Sequence, residues 1–337
     1  MLGVGRIIPS LTVGVRLLAA VDPGALLATY DRPDVAGISV LVRHEGQTLF
    51  RRSYGLADVE AKRAATPQTN YRLASISKQF TATTVLTLVQ EKRIQLDDPI
   101  ATYWTGLPSG ITVRHLLTHQ SGLADYEDHL PPGEFQVKDA EVLTILRKMP
   151  DLLAPPGTKY AYSNSGYSLL ASLVEKITGQ RYADALRERV LKPAGMLRSV
   201  AHEDGRDSVA ARAYGYAEGG TRRTDQSRTS AVLGDGGLYS SLEDLEHWLD
   251  CMRNHCVLTE ATQQLAFTPM TLRDGTLTEY GFGWFIRGPL RWHTGESIGF
   301  RHALVAQDGY EVLVFANRAD VKARELALQV LKLYLAK

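Results

Sequence analysis

Strand patterns at both ends of the chain, separated by a long helical block, constrain its fold most. Residues 37–42 and 48–50 predict an N-terminal hairpin. Strands are also predicted at residues 280–286 and 290–293, and on both sides of Asp308-Gly309, the strongest hairpin signal in the chain. This order predicts an α/β domain built from both termini, with an all-helical insertion between its two halves.

The predicted fold class is therefore α/β, in the α+β form: a mixed, mainly antiparallel sheet flanked by N- and C-terminal helices, plus an all-helical domain. Residues 1–75 and 211–337 are assigned to the α/β domain, and residues 76–210 to the helical domain. The terminal helices are predicted at residues 16–30 and 321–335. The expected place for a functional site is the cleft between the two domains.

Helical periodicity is clearest in the insertion. Residues 75–93 leave little polar face, so this helix is expected to be buried. Residues 166–178 carry an apolar stripe that Gly179 terminates. A further helix is predicted at residues 139–149, and Asp320 is predicted to cap the C-terminal helix.

The charge of the chain excludes several kinds of partner. There are 38 basic and 37 acidic residues, a net charge of +1, which does not mark a nucleic-acid binder or a polybasic membrane protein. No apolar run reaches the roughly 18–20 residues of a membrane span. The expected partner is a small-molecule or short-peptide substrate, and the sequence makes no prediction of oligomeric state.

Cys251 and Cys256 are the two cysteines of the chain, too few for a disulfide framework. They are predicted to be ordinary thiols rather than a bridge or a metal site. No metal and no cofactor are predicted, because no second ligand cluster accompanies His255. The glycine-rich residues 234–237 lack the ending of a phosphate-binding loop and are predicted to form a tight turn near the site.

The N-terminal residues bear on localisation. Arg6 precedes an apolar run at residues 7–15, as in a signal peptide. However, Pro9 and Ser10 interrupt the run, and no clean cleavage site follows Arg16. The chain is therefore expected to be cytoplasmic, with the periplasm or secretion as the alternative.

Ser75 and Lys78 form the first of three short motifs that carry chemistry. Three residues apart on a helix, their side chains share one face. The helix dipole and burial both disfavour a charged amine there, so Lys78 could activate the Ser75 hydroxyl as a base. By itself the motif is weak, because a chain of this length contains about one Ser-x-x-Lys by chance, and Ser75 could simply cap the helix.

Tyr162 and Asn164 form the second motif, in a loop before the helix at residues 166–178. A phenol beside a rigid element is well placed to relay protons, and an amide can donate to a substrate carbonyl. The structural alternative is a half-buried tyrosine followed by an asparagine helix cap.

His293, Thr294 and Gly295 end a predicted strand and form the third motif. Gly295 permits a close approach of the backbone, and His293 can donate a hydrogen bond or carry charge. The structural alternative is an exposed histidine at the end of a strand.

In this order the three motifs resemble the serine β-lactamase and penicillin-binding protein family, and most closely its class C and DD-peptidase branch with the family VIII esterases. The resemblance extends over roughly residues 20–335 and implies the β-lactamase/transpeptidase-like fold. It also implies a serine hydrolase that works through an acyl-enzyme without metal or cofactor. The segments that carry it are residues 73–81, 111–123, 156–158, 162–167, 236–240 and 280–284.

The resemblance implies the catalytic roles. Ser75 would be the nucleophile, and Lys78 and Tyr162 would share its proton and pass it to the leaving group. Asn164 would bind the acyl-side amide of the substrate.

The resemblance also implies a substrate-binding strand. His293 would stand where the family has lysine or histidine, followed by Thr294 and Gly295. The backbone amides of Ser75 and Glu296 would form the oxyanion hole.

Two departures from the family pattern narrow the substrate. The third motif of β-lactamases usually begins with lysine, and a neutral His293 would hold a substrate carboxylate less firmly. Glu296 stands where small or hydroxyl residues are common, and its charge would repel an anionic substrate. Both departures favour a neutral ester or amide, or a substrate with a cationic group, over efficient hydrolysis of penicillins.

The predicted function is hydrolysis of an amide or ester bond, as in β-lactamases and DD-peptidases, with weak activity on β-lactams. A carboxylesterase acting on small esters and a D-aminopeptidase are the alternatives. A non-catalytic peptide-binding or scaffold relative is the alternative of another class, and the intact Ser75, Lys78 and Tyr162 speak against it.

Two other patterns point to different chemistry and are rejected. Residues 295–299 match the Gly-x-Ser-x-Gly elbow of α/β-hydrolases, which needs a strand–turn–helix context, but strands are predicted after Ser297. His115 and His119 have the spacing of a metalloprotease helix, but Leu116 replaces the required glutamate, so a structural role is expected.

Overall fold

The computed structural model describes residues 22–149, 151–203 and 205–336. Six of the strands in these residues form one antiparallel sheet, and the others form two small sheets. The strands are β1 (Ile38–His44), β2 (Gln47–Tyr54), β3 (Leu56–Asp58), β4 (Arg63–Ala64), β5 (Tyr71–Arg72), β6 (Val200–Ala201), β7 (Leu238–Ser240), β8 (Phe285–Arg287), β9 (Leu290–Ser297), β10 (Phe300–Gln307) and β11 (Tyr310–Ala316). The order in the large sheet is β2-β1-β11-β10-β9-β8, and the small sheets are β3-β4 and β5-β7-β6.

Most helices lie between the N-terminal and C-terminal strands of the large sheet. They are α1 (Gly24–Leu27), α2 (Ser77–Gln90), α3 (Val113–Leu117), α4 (Asp139–Arg147), α5 (Asn164–Thr178), α6 (Tyr182–Leu186), α7 (Leu233–Gly236), α8 (Leu242–Asn254), α9 (Glu260–Ala266) and α10 (Ala323–Leu335). Short 3-10 turns occur at Ala28–Tyr30, Ala74–Ile76, Ile100–Thr102 and Tyr126–His129, and a π-helical turn occurs at Arg187–Leu191.

The large sheet joins the two ends of the chain, because β1 pairs with β11 in an unbroken antiparallel register. The hairpin predicted at Asp308-Gly309 is present between β10 and β11. Both turn residues have a positive φ, 49° and 78°, as a two-residue hairpin turn requires. The predicted fold class is confirmed, and the predicted domain boundaries stay a prediction.

Each face of the sheet has its own core. On one face, Val40 and Val314 belong to a cluster with the apolar stripe of α10. On the other face, Leu41 and Leu313 belong to the larger core that includes α2, α5 and α8. Burial on both faces explains why β1 and β11 are continuous apolar runs rather than alternating ones.

The buried helix predicted at residues 75–93 is α2, in which residues 77–88 are all buried. Two of its buried hydroxyls are satisfied within the helix, since Thr83 and Thr84 each donate at 2.8 Å to a carbonyl four residues earlier. The helix is shorter than predicted because a 3-10 turn occupies its first residues. Its burial places one end of α2 deep in the molecule, where the first motif lies.

Asn317, directly after β11, connects segments from three parts of the chain. Its side chain accepts a hydrogen bond from the Gly37 amide at 2.9 Å, and it donates to the carbonyls of Leu56 and Tyr214, both at 3.0 Å. The residue is fully buried, so each of these backbone groups depends on it for a partner.

The prediction of two free thiols was wrong, because Cys251 and Cys256 form a disulfide bond. α8 ends at Asn254, and His255 takes a left-handed conformation with a φ of 54° that reverses the chain. The reversal brings the two cysteine Cα atoms to 5.0 Å, within the usual range for a disulfide.

The strand predicted at residues 280–286 was too long. Residues 280–284 form a loop, and β8 begins at Phe285. Gly283, with a φ of 78°, brings this loop against α2: a Cβ atom added there would meet the carbonyl oxygen of Lys78 at 2.9 Å. Residues 280–284 therefore turn to pack against α2 instead of forming the extended strand that their apolar pattern predicted.

The terminal helices also differ from the prediction. Of the helix predicted at residues 16–30, residues 16–21 lie outside the described residues, and the rest forms only α1 and a 3-10 turn. α10 begins at Ala323 and is not capped by Asp320, whose carboxylate instead pairs with Arg318 at 2.6 Å. None of the helices in the described parts of the chain is long and apolar enough to cross a membrane.

Candidate active site

Ser75 lies in the 3-10 turn that joins β5 to α2. The turn is anchored by the Leu73 amide, which donates to the Leu238 carbonyl at 2.8 Å. Ala74 then takes a left-handed φ of 49°, a sparsely populated conformation for a residue with a Cβ atom. Ser75 is left half-buried at a small pocket, while the residues on either side of it are buried.

Lys78 lies one turn further along, with its side chain wholly buried. Its Nζ is 3.0 Å from Ser75 Oγ, 2.8 Å from Asn164 Oδ1 and 2.9 Å from the Asp235 carbonyl oxygen. In the neutral form that general-base catalysis requires, an amine placed here donates its two hydrogens to the Asn164 and Asp235 oxygens, and its lone pair can accept the Ser75 proton. The predicted pair is therefore in contact, at the separation that a nucleophile and its base require.

Tyr162 lies in the loop before α5, as predicted, and packs over the lysine. Its ring centroid is 5.1 Å from Lys78 Nζ and 4.2 Å from the centroid of the His119 ring. The side chain is 38% exposed, and its hydroxyl has no hydrogen-bond partner among the described residues. The phenol is thus free to bond to a substrate or a water, while its role as a proton relay stays a prediction.

Asn164 is the first residue of α5, which begins two residues earlier than predicted. Its backbone amide donates to Asp125 Oδ2 at 2.8 Å, and its side-chain oxygen accepts from Lys78 at 2.8 Å. Because the oxygen is engaged by the lysine, the amide NH₂ group is the part that can serve a ligand in the pocket.

β9 lies directly against the turn that carries the nucleophile. A Cβ atom added to Gly295 would meet the Leu73 carbonyl oxygen at 2.1 Å, so only glycine allows the two backbones to come this close. The approach brings the strand residues that follow Gly295 beside Ser75, and Glu296 lines the same pocket as Ser75. This is the arrangement that the predicted oxyanion hole needs.

His293 is buried, and both of its ring nitrogens are engaged by the protein. Nδ1 donates to the Thr294 carbonyl at 2.6 Å, and Nε2 accepts from the Tyr280 hydroxyl at 3.0 Å. Burial and the charge of Lys78 lower the pKa of His293 to about 3, so the ring is neutral. It therefore provides no positive charge for a substrate carboxylate, and it contacts the site through the Tyr280 hydroxyl and through the Tyr162 ring, whose centroid is 6.2 Å from its own.

Thr294 and Glu296 lie on the face of β9 opposite to His293 and Gly295, because successive side chains of a strand point to opposite faces. They line a polar groove of about 470 Å³ that the start of α10 borders. The exposed Glu296 carboxylate is 3.8 Å from the Arg301 guanidinium, which offsets part of its charge. Glu296 thus stands between this groove and the pocket at Ser75.

The pocket at Ser75 has a volume of about 50 Å³, and sequence reasoning assigned only part of its lining. The lining residues that were not assigned to the site are Arg72, Ala74, Glu127, Thr229, Asp235, Gly236 and Ser297. The glycine-rich residues 234–237 were the available signal for Asp235, since they lie near the site as predicted and form the single helical turn α7. No motif marks Glu127, which reaches the pocket from a 3-10 turn of the helical insertion.

The two rejected patterns have structural explanations. Ser297 ends β9, and β10 follows at Phe300, so the helix that a nucleophile elbow requires is absent there. His115 Nδ1 accepts from the Thr112 amide and caps α3. His119 Nδ1 accepts from the Ser163 amide at 3.2 Å, which places its ring under Tyr162. The expected structural roles of both histidines are confirmed.

Asp235 and Asp139 are buried carboxyls beside the catalytic pair. The Tyr126 hydroxyl donates to Asp235 Oδ2 at 2.9 Å, and Asp139 accepts from the Leu233 and Gly234 amides at 2.9 and 3.2 Å. Burial raises the pKa of Asp235 to about 7, against the opposing charge of Lys78, and burial likewise raises the pKa of Asp139 to about 7.

Asp235 should make the stability of the fold depend on pH. A carboxyl whose pKa rises on folding from 3.8 to about 7 binds more protons in the folded than in the unfolded chain between these values. The free energy of unfolding contributed by Asp235 therefore falls as pH rises from about 4 to about 7. Asp235→Asn should flatten this dependence, as measured by urea unfolding across that range. An unchanged slope in the variant would contradict the assignment.

A serine hydroxyl 3.0 Å from a buried lysine amine, set between helices and an antiparallel sheet, defines a serine hydrolase with a β-lactamase-like fold. The chain belongs to the Beta-lactamase family, whose sequence model matches residues 25–335.

Named relatives and one solved structure agree with this family. The chain is 29% identical over 310 residues to a penicillin-binding protein of Bacillus subtilis, covering 84% of this chain and 68% of that protein. It is 33% identical over 256 residues to a D-aminopeptidase of Brucella canis, covering 73% of this chain and 48% of that protein, so it spans about half of that relative. The octameric penicillin-binding protein homologue from Pyrococcus abyssi matches with a TM-score of 0.80 and 27% identity, over 93% of this chain and 76% of that chain.

Proposed function

We propose that this protein hydrolyses the amide bond that follows an N-terminal D-amino acid, through an acyl-enzyme on Ser75. The single observation that carries the proposal is the position of Glu127, whose carboxyl lines the same pocket as Ser75 and Asn164. Identity of 33% to a D-aminopeptidase over 73% of the chain supports the class of substrate and its configuration.

Glu127 is the acidic group best placed to bind a substrate ammonium. Burial and the neighbouring Asp125 raise the pKa of Glu127, against opposing contributions from Lys78 and Asn164. No lysine or arginine of the described residues lies within 4.0 Å of its carboxylate. In an N-terminal residue the α-ammonium is one carbon away from the scissile carbonyl, so a carboxylate close to the nucleophile can pair with it.

The other polar and charged side chains of the site have contacts within the protein. Arg72 donates to the Ser230 carbonyl at 2.8 Å, and its charge lowers the pKa of the buried Asp235, which burial raises. Glu296 is 3.8 Å from Arg301. His293 is neutral, and its ring nitrogens are hydrogen-bonded to Tyr280 and Thr294. It therefore offers no positive charge to bind the C-terminal carboxylate of a substrate, which is the group that a carboxypeptidase would recognise.

The chemistry proceeds in two halves. Ser75 Oγ attacks the scissile carbonyl, its proton passes to Lys78 Nζ across 3.0 Å, and the backbone amides of Ser75 and Glu296 stabilise the oxyanion. The C–N bond breaks as the leaving amine takes the proton through Lys78 and Tyr162, and an acyl ester remains on Ser75. A water then attacks this ester and gives its proton to Lys78. The bond between the acyl carbon and Ser75 Oγ breaks, Ser75 recovers the proton from Lys78, and the free amino acid leaves.

Glu127→Gln tests the recognition of the ammonium. Its kcat/KM for D-alanyl-p-nitroanilide should fall roughly 10- to 100-fold, the value of one charge-assisted hydrogen bond. Turnover of the N-acetylated substrate, slow in the parent protein, should not change. Asp128→Asn, which removes an exposed acid from the same 3-10 turn, is the matched control. Equal turnover of free and N-acetylated substrates by the parent protein, or a preference for D-alanyl-D-alanine peptides, would contradict the proposal.

We also propose that the protein works in an oxidising compartment, the periplasm or outside the cell, rather than in the cytoplasm. The disulfide between Cys251 and Cys256 supports this, because such bonds are rare in reducing cytosol. Cys256 is exposed and would be open to reductants there. Maleimide labelling of the protein in intact expressing cells, before and after reduction, should detect thiols only after reduction. Free thiols before reduction would favour the cytoplasm.

A further inference from the structure

A second cavity lies between the sheet and the end of α8. Its volume is about 250 Å³, and it shares no lining residue with the pocket at Ser75. Its walls come from α8, α9, β9, β10 and the start of β11. Its lining includes Arg253, Phe267, Trp284, Arg291, Ala306 and Glu311.

Arg291 is a half-buried cation without a counter-ion. Its guanidinium lies 4.3 Å from the centroid of the Phe267 ring, and burial lowers its pKa. Within residues 22–149, 151–203 and 205–336 it makes no hydrogen bond and has no carboxylate within 4.0 Å. Glu311 attracts it only from a greater distance. A partly desolvated guanidinium without an ion-pair partner costs free energy, and an anionic ligand that pairs with it would reduce this cost.

Arg253, the other arginine of the cavity, is already matched. It is 2.7 Å from the Glu45 carboxylate and 3.6 Å from that of Glu311. Glu311 is also 3.9 Å from Arg43, so its charge is already shared by two arginines, and Arg291 is the cavity arginine without an ion pair among the described residues. A monoanion matches the single charge of Arg291, whereas a dianion such as a phosphate ester would bring a second, unpaired negative charge beside Glu311.

The wall beside Arg291 is aromatic. Phe267 and Trp284 meet edge to face, with their ring centroids 5.5 Å apart. A guanidinium that stacks on a ring keeps its N–H edge free for a planar, bidentate acceptor. The cavity holds roughly eight water volumes at about 30 Å³ each, which admits a small molecule but not a polymer.

We propose that this cavity is a binding site for a small monocarboxylate with a flat apolar body, separate from the hydrolytic site. The carboxylate pairs with the N–H edge of Arg291, and the apolar body lies against Phe267 and Trp284. No residue of the catalytic group takes part.

Phenylacetate and its neutral isostere phenylacetamide are the probes, with binding measured by calorimetry on the full chain. Phenylacetate should bind one-to-one, and phenylacetamide at least about tenfold more weakly, since it lacks the charge. Arg291→Met, which keeps an apolar stem, should weaken phenylacetate binding at least about tenfold and leave hydrolysis at Ser75 unchanged. Arg287→Met, at an exposed arginine of the same hairpin paired with Glu279, is the control and should bind as the parent does.

A second variant keeps the proposal testable if Arg291→Met folds poorly. Ala306→Leu fills the cavity from β10 without changing any charge, and it should also abolish phenylacetate binding. The proposal would be overturned if phenylacetate and phenylacetamide bound equally well, or if either cavity variant bound phenylacetate as tightly as the parent. It would also be overturned if the parent did not bind phenylacetate at millimolar concentration.

Discussion

Ser75→Ala should abolish hydrolysis, lowering kcat/KM roughly 10⁴-fold or more. The hydroxyl is the group within 3.0 Å of the buried Lys78 amine, and no other atom in the pocket pairs with a base in this way. Lys78→Met should lower kcat/KM by about as much. The attack on the substrate needs both the hydroxyl and the amine that accepts its proton, so loss of either group stops the same step. The double variant should be scarcely worse than either single one, as expected for residues that act as a unit.

The control for Ser75→Ala must remove a hydroxyl that plays no part in the site. Ser172, buried on α5, meets this need because its hydroxyl has no hydrogen-bond partner among the described residues. Ser172→Ala should retain full activity. Ser297 is less suitable, since it lines the pocket at Ser75. A fluorophosphonate probe should label the parent and Ser172→Ala at Ser75 and leave Ser75→Ala unlabelled. Labelling of another serine in Ser75→Ala would refute the assignment of the nucleophile.

The contact within the first motif, between Ser75 and Lys78, was predictable because its parts are local. Ser75 and Lys78 are neighbours on one helical turn, and burial of α2 follows from its composition. The Asp308-Gly309 hairpin was predictable for the same reason, since the turn residues themselves favour a positive φ. Such features depend on a few adjacent residues, whose preferences the sequence displays directly.

Other groups of this site were not predictable. Glu127 enters the pocket from a 3-10 turn about fifty residues after Ser75, and the carbonyl of Asp235 reaches Lys78 from a single turn much later in the chain. His293 could be identified as a motif residue, but its neutrality follows from burial and from the Tyr280 hydroxyl, which a loop supplies. These properties arise from long-range packing, which no local pattern records.

Gly295→Ala should lower kcat roughly 10²- to 10³-fold, the usual cost of losing one oxyanion donor. A methyl group at this position would lie 2.1 Å from the Leu73 carbonyl oxygen, where a Cβ atom does not fit, so β9 must move away from the turn that carries Ser75. The displaced strand takes the Glu296 amide with it, while Ser75 stays on its 3-10 turn and Lys78 stays on α2. Attack by Ser75 should then be slowed in the acylation step, which stopped-flow labelling with a fluorophosphonate measures directly.

A matched change in the same hairpin separates this effect from a general disturbance of the strand. Gly288 also has a positive φ, 57°, but nothing lies within 4 Å of the place of its Cβ atom. Gly288→Asn retains a residue that tolerates this conformation, so kcat should stay within about twofold of the parent value. Suppose that Ser75 of the Gly295→Ala variant were acylated at the parent rate and that circular dichroism showed the variant to be folded. The Glu296 amide of β9 would then not be an oxyanion donor. The backbone of β9 would then serve only to bind the substrate, and the stabilising amides would have to come from the Ser75 turn alone.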